Sequence, residues 1–296
     1  MSLVALVALA ATVALAGCAA SLGDGEPAAG PGPTVCTDDV ATQQAATVAG
    51  DGTTMGIDEA DGAAESDAGG DGTGQPTGGE ADGDEEDGEA VAVPEVAAGD
   101  TLIVFDGDSL TYGTGTAAGE DYPSVALQRL PSRVTAVNVA VPGQEWSDML
   151  DDAACEIDPL FAPAARQNIV VVWAGTNDLN RTHTAKRIWR ELERYCRDRR
   201  RRGWKVVILT VLPRIPTRSG SRFERQRRLL NHAIRERWPA VADAVADVAH
   251  DERIGDYAGF AAAQYKTDGI HNNAAGNAVI AEVVVDTLRP LLAHDD

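Results

Sequence analysis

The chain has 296 residues, 44% of them hydrophobic, and a formal net charge of −21 at pH 7. The charge is segregated: residues 1–100 hold 20 acids and no Lys or Arg, whereas residues 101–296 hold 26 acids and 25 bases. The second part is near neutral and long enough for one cored domain, which excludes a strong phosphate footprint, while the first is too poor in large apolar side chains to pack a core.

The chain opens on an apolar Ala/Leu/Val run that ends in Leu15-Ala16-Gly17-Cys18. Small residues before a cysteine resemble a bacterial lipoprotein signal, which implies cleavage before Cys18 and lipidation of its sulfur. No Lys or Arg precedes the run, a departure from the usual positive start. The alternative is an uncleaved membrane anchor, but an Ala-rich run is weakly hydrophobic for a permanent span of a bilayer about 30 Å thick. Either reading places the rest of the chain outside the cytoplasmic membrane, anchored through Cys18 or secreted. Residues 19–99 are rich in Gly, Asp, Glu, Ala and Thr, so a disordered tether is expected, with an r.m.s. span of roughly 50 Å. A calcium-binding repeat is excluded by spacing, because no D-x-D-x-D-G loop with a closing Glu occurs.

From residue 100 to 296 short β-rich runs alternate with helical stretches, the pattern of a parallel sheet covered on both faces. Strands are expected at 101–105 (TLIVF), 134–141, 168–173 (NIVVVW) and 205–211 (KVVILTV), with a weaker one at 244–249. Helices are expected around 122–130, 146–157, 184–202, 223–237 and 274–292. The 184–202 helix is crowded with Arg. Ile188, Leu192 and Tyr195 give it an apolar stripe, so the arginines read as a solvated face and not as a nucleic-acid surface. Cys155 and Cys196 are either a disulfide, in a compartment that permits one, or two buried thiols. No C-x-x-C or H-x-x-x-H occurs, so no metal site is expected, and the absence of Walker-type and G-x-G-x-x-G motifs leaves nucleotide chemistry without support.

In a parallel sheet ligands bind at the carboxyl ends of strands. Those positions carry Gly107-Asp108-Ser109-Leu110, then Gly143, then Gly175-Thr176-Asn177-Asp178; Asp268-Gly269-Ile270-His271 follows before the last helix. Together and in this order, these segments resemble the SGNH, or GDSL-type, esterase and lipase family. The resemblance covers residues 101–292 and implies a three-layer α/β/α, flavodoxin-like fold with five parallel strands. It implies ester hydrolysis without a cofactor, an oxyanion hole made by the backbone N–H groups of Ser109 and Gly143 and the Asn177 amide, and an acyl-ester substrate. The residues themselves support this: a serine hydroxyl needs a base, His271 can be that base, and Asp268 three residues earlier can orient its ring. Gly143 lets backbone approach a ligand, and Asn177 offers an uncharged donor. Asp108 and Asp178 read as loop-shaping neighbours, and His183, His232, His250 and His294 as surface or structural residues. G-x-S-x-G is missing, which argues against a nucleophile elbow of the α/β-hydrolase kind. An acyltransferase using the same residues and a non-catalytic binding lipoprotein are the alternatives.

Overall fold

The computed structural model describes residues 94–215 and 221–293. The expected signal 1–18 with Cys18, the 19–99 tether up to residue 93, and His294 lie outside the described residues. Among the described residues no helix is long and apolar enough to cross a membrane.

Five parallel strands, β1 (Thr101–Gly107), β2 (Val134–Asn138), β3 (Gln167–Trp173), β4 (Lys205–Leu209) and β5 (Ala244–Ala246), form one sheet in the order β2-β1-β3-β4-β5. Between and after them run α1 (Ser109–Tyr112), α2 (Tyr122–Leu127), α3 (Trp146–Glu156), α4 (Thr176–Asn180), α5 (Ala185–Arg201), α6 (Arg222–Arg237) and α7 (Ala274–Ala293). Successive strand residues point to opposite faces. Leu102, Val104, Val170, Val172, Val206 and Ile208 therefore pack with α3, α5 and α6 on one side. Ile103, Phe105, Ile169, Val171, Val207 and Leu209 pack with α2 and α7 on the other. This is the expected three-layer fold with a five-stranded parallel sheet.

Three strands end earlier than their apolar runs suggest, each because a side chain captures the backbone. Asn138 accepts from Ala140 N–H (3.2 Å) and donates to Thr111 O (3.0 Å), turning the chain out of β2. Asn231 of α6 accepts from Val211 N–H at 2.8 Å just beyond β4. Beyond β5, which ends after three residues, Thr210 Oγ1 accepts the Ala249 N–H and donates to Asp247 (2.9 Å each), and Arg235 holds Asp247 in turn.

Helix α5 buries Ile188, Leu192 and Tyr195 as expected, but its arginines are not all solvated. Arg199 is 4% exposed, donates to Ala153 O at 3.0 Å and pairs with Asp158. The suggested disulfide is not formed: Cys196 is a free thiol facing inward from α5, and Cys155, at the end of α3, is disulfide-bonded but not to Cys196. Helical periodicity puts position 196 on the same inner face as Leu192, away from solvent, and burial pushes its thiol far above the ordinary range.

From β1 the chain moves outward to β2 and then returns across β1 to β3. The reversal opens a crevice at the carboxyl ends of these strands, where a doubly wound sheet binds its ligands. Ser109, Gly143 and Asn177 follow β1, β2 and β3 in turn, so topology alone gathers them at this rim.

Candidate active site

Asp108 ends β1 and caps α1, accepting the Leu110 N–H at 2.9 Å, while its own N–H donates to Trp173 O at 3.3 Å. This fixes Ser109 as the first residue of a short helix on the rim. Across the crevice, 266–272 forms a small hairpin, with an antiparallel bridge between Lys266 and Asn272 and Thr267 N–H donating to His271 O at 2.9 Å. Gly269 occupies its tip at φ +84°, and a Cβ there would lie 2.1 Å from Ile215 O. Any side chain would drive Ile215 away, so the turn that delivers the DGIH segment requires glycine.

The hairpin places His271 Nε2 3.0 Å from Ser109 Oγ and His271 Nδ1 2.7 Å from Asp268 Oδ2. Asp268 Oδ1 accepts two more hydrogen bonds, from Ile270 N–H (2.9 Å) and His271 N–H (2.8 Å). Burial opposes ionisation of Asp268, but the His271 ring and these amides outweigh it and hold the carboxyl down at about 2. Being ionised, the carboxylate can only accept, so the imidazole carries its proton on Nδ1 and presents a bare Nε2 to the serine hydroxyl.

The two other oxyanion candidates sit on adjacent turns that hydrogen-bond to each other. Asn177 Nδ2 donates to Gln144 O at 2.9 Å, leaving its second N–H for a ligand. Gly143 is exposed at φ +92°, in open space, so its glycine is required by the backbone angle and not by crowding. Asp178, completely buried, accepts the Trp146 N–H at the start of α3 (3.4 Å to each oxygen). Burial and the nearby Glu145 push its carboxyl up to about 6. Its role is thus to hold the loop, as expected. His183 is likewise structural: its Nδ1 lies 3.3 Å from Glu145 and 3.7 Å from Asp178. Glu145, Asp178 and His183 bring three ligand-type atoms within 4.8 Å of one another, but Arg181 Nε stands 2.7 Å from Glu145 and balances the charge. The cluster ties the Gly143 turn to the Asn177 turn.

Two supports are not legible as site residues in the sequence. Lys266, 8% exposed, donates from Nζ to Ile270 O (2.9 Å) and Asn272 Oδ1 (2.5 Å), the residues on either side of His271. Burial lowers its ammonium to about 8, although Asp268 opposes the shift. The only clue was a basic residue two positions before Asp268. Replacing Lys266 by Met would orphan both acceptors. We expect a loss of about 1–3 kcal/mol in stability and a kcat lower by about 10- to 100-fold as His271 drifts. Lys266→Arg should recover part of both. Denaturant melts and steady-state kinetics of the two variants check this; an unchanged kcat in the Met variant would deny Lys266 a positioning role.

Asp106, the one acid in the apolar β1 run, accepts from Tyr195 OH of α5. Burial pushes Asp106, Asp108 and Glu156 each up to about 7, with Asp178 adding to the effect on Asp108 and Asp106 to that on Glu156. In the unfolded chain these groups titrate at roughly 4. Between those values the folded state binds more protons than the unfolded one, so stability is greatest at the acid end and falls as pH rises through 7. The melting temperature should therefore drop between about pH 5 and about pH 8, and Asp106→Asn, which still accepts from Tyr195, should flatten the drop. A melting temperature that rises over this interval would contradict the assignment.

This site agrees with what the part of the chain that carries it resembles. Over 199 residues, 67% of this chain and 88% of the relative, it is 24% identical to thioesterase 1/protease 1/lysophospholipase L1 of Escherichia coli. A GDSL-like lipase of Bacteroides thetaiotaomicron superposes with a TM-score of 0.54 at 18% identity, covering 68% of this chain and 93% of the other. A member of the lipolytic G-D-S-L family from Veillonella parvula gives 0.52 at 17% identity, covering 63% and 97%. These likenesses support the fold, and the match of residues 105–279 to the family pattern supplies the assignment: the chain belongs to the GDSL-like lipase/acylhydrolase family and is an ester hydrolase of that family.

Proposed function

We propose that this protein hydrolyses carboxylic esters of short acyl groups through an acyl-Ser109 intermediate, outside the cytoplasmic membrane. The observation that carries the reading is the continuous hydrogen-bonded chain from Asp268 through His271 to Ser109. As Ser109 Oγ attacks the ester carbonyl, His271 Nε2 takes its proton, and Asp268 stabilises the imidazolium that forms. Negative charge collects on the carbonyl oxygen, where the free N–H of Asn177 and the backbone N–H groups of Ser109 and Gly143 are the donors. His271 then protonates the departing alcohol. Water repeats the sequence to release the acid and restore Ser109.

The preference for short acyl groups rests on openness. Asp268 has 52% of its side chain exposed, Gly143 is exposed, and Tyr112, three residues beyond Ser109, is 47% exposed. Such a rim accommodates a bulky alcohol more readily than it shields a long acyl chain from water. The location rests on the apolar run ending in Leu15-Ala16-Gly17-Cys18, which supports export and a lipid anchor at Cys18. The test compares p-nitrophenyl acetate, butyrate and octanoate. We expect kcat/KM to fall from the short esters to octanoate; a preference for octanoate would overturn the acyl-length reading, and no turnover of any ester would overturn the function.

A further inference from the structure

The near-neutral charge of residues 101–296 conceals a second segregation. Helix α5 holds eight bases and three acids, and Lys186, Arg190, Arg194, Arg197 and Arg201 recur at intervals of four, four, three and four residues. That spacing lines one face of a helix. All five are exposed, and the stripe is about 22 Å long at 1.5 Å per residue. Arg197 and Arg201 pair with Glu193 and Asp198 of the same helix, exposed pairs that hold their partners weakly. Lys186, Arg190 and Arg194 have no ion-pair partner among the described residues.

The complementary charge lies in the same chain. Residues 80–89 carry seven acids in ten positions and no base. The described structure begins five residues later, and Val96 packs against the apolar layer that α5 shares with α3 and α6. The end of α5 is also near: it runs back along the sheet and stops four residues before Lys205 opens β4, and Lys205 and Thr101 both pair with the first residues of β3. Arg197 and Arg201 thus lie at the end of the sheet where β1 begins. Glu89 lies seven positions before Val96, enough to reach about 25 Å when extended.

We propose that the acidic run 80–89 docks on the cationic stripe of α5. The contact is electrostatic and holds the N-terminal segment against the domain at low ionic strength. It loosens as the screening length falls from about 30 Å at 0.01 M salt to about 3 Å at 1 M.

The test uses the full chain, a stripe variant (Arg190→Glu, Arg194→Glu, Arg197→Glu) and a run variant (Asp84→Asn, Glu85→Gln, Glu86→Gln, Asp87→Asn). A carbodiimide joins amines to carboxylates in contact. The protein has three lysines, of which Lys205 is half-buried and Lys266 buried, leaving Lys186 as the exposed reporter. Mass spectrometry should find Lys186 joined to residues 80–89, with a yield that falls about five-fold or more from 0.01 M to 1 M salt and is lost in both variants. X-ray scattering gives an independent sign. A docked run is released by salt and the radius of gyration rises, whereas an undocked, self-repelling run contracts. The proposal is overturned if wild type yields no such cross-link or contracts with salt as the run variant does. It is equally overturned if phosphatidylglycerol vesicles bind the stripe while the cross-link to 80–89 is absent. Melting curves matching wild type show that the variants are folded, and the wild-type cross-link and scattering decide the matter without them.

Discussion

Ser109→Ala is expected to lower kcat for ester hydrolysis by about 10⁵- to 10⁶-fold, with KM changed far less. The oxygen removed forms the covalent bond, and water at that position has no equivalent path to the carbonyl. His271→Ala should cost nearly as much, and the double variant little more than either alone, because Oγ and Nε2, 3.0 Å apart, act as one unit. Steady-state kinetics on all three variants measures this non-additivity. Costs that multiply in the double variant would mean that the two residues act independently. Fold should be retained in Ser109→Ala, since Asp108, not Ser109, caps α1.

Asn177→Ala is expected to lower kcat by about 10²- to 10³-fold. Its free N–H gains a strong partner only when the carbonyl oxygen becomes an oxyanion, so the loss falls on the transition state and leaves KM nearly unchanged. Asn177 also donates to Gln144 O, and a purely structural role there would act through the Gly143 turn. Stability separates the two roles. A modest drop in melting temperature with a large drop in kcat marks an oxyanion donor, whereas proportionate losses, or a KM effect as large as the kcat effect, would make Asn177 a loop tie only. Asn177→Asp, similar in shape but charged, should not recover activity, because a carboxylate repels the developing charge.

Much of this was legible in the sequence because it depends on local chemistry. β1 and β3 are buried along their whole length, so their uninterrupted apolar runs mark them clearly. Ser109, Gly143, Asn177, Asp268 and His271 each follow a strand or precede the last helix, and the parallel sheet brings those places to one rim. What escaped depends on contacts distant in sequence. Asn138 ends β2 and Thr210 holds the chain beyond β5 through partners such as Thr111 and Ala249, invisible to a reading of β propensity. Arg199 reads as a surface residue, yet it is buried because Ala153 O and Asp158 together satisfy it. Counting cysteines could not tell that Cys196 faces the core while Cys155 bonds elsewhere. The task of Lys266 appears only once the hairpin brings Ile270 O and Asn272 to its ammonium.

Trapping the acyl-enzyme decides whether an ester acylates Ser109. The full chain is mixed with excess p-nitrophenyl ester, p-nitrophenolate release is followed through the first turnover, and the quenched protein is digested and weighed. Acylation of Ser109 then gives a burst approaching one equivalent per chain and an added acyl mass on Ser109, absent from Ser109→Ala. An acyl group on another residue, or turnover that continues undiminished in Ser109→Ala, would contradict it.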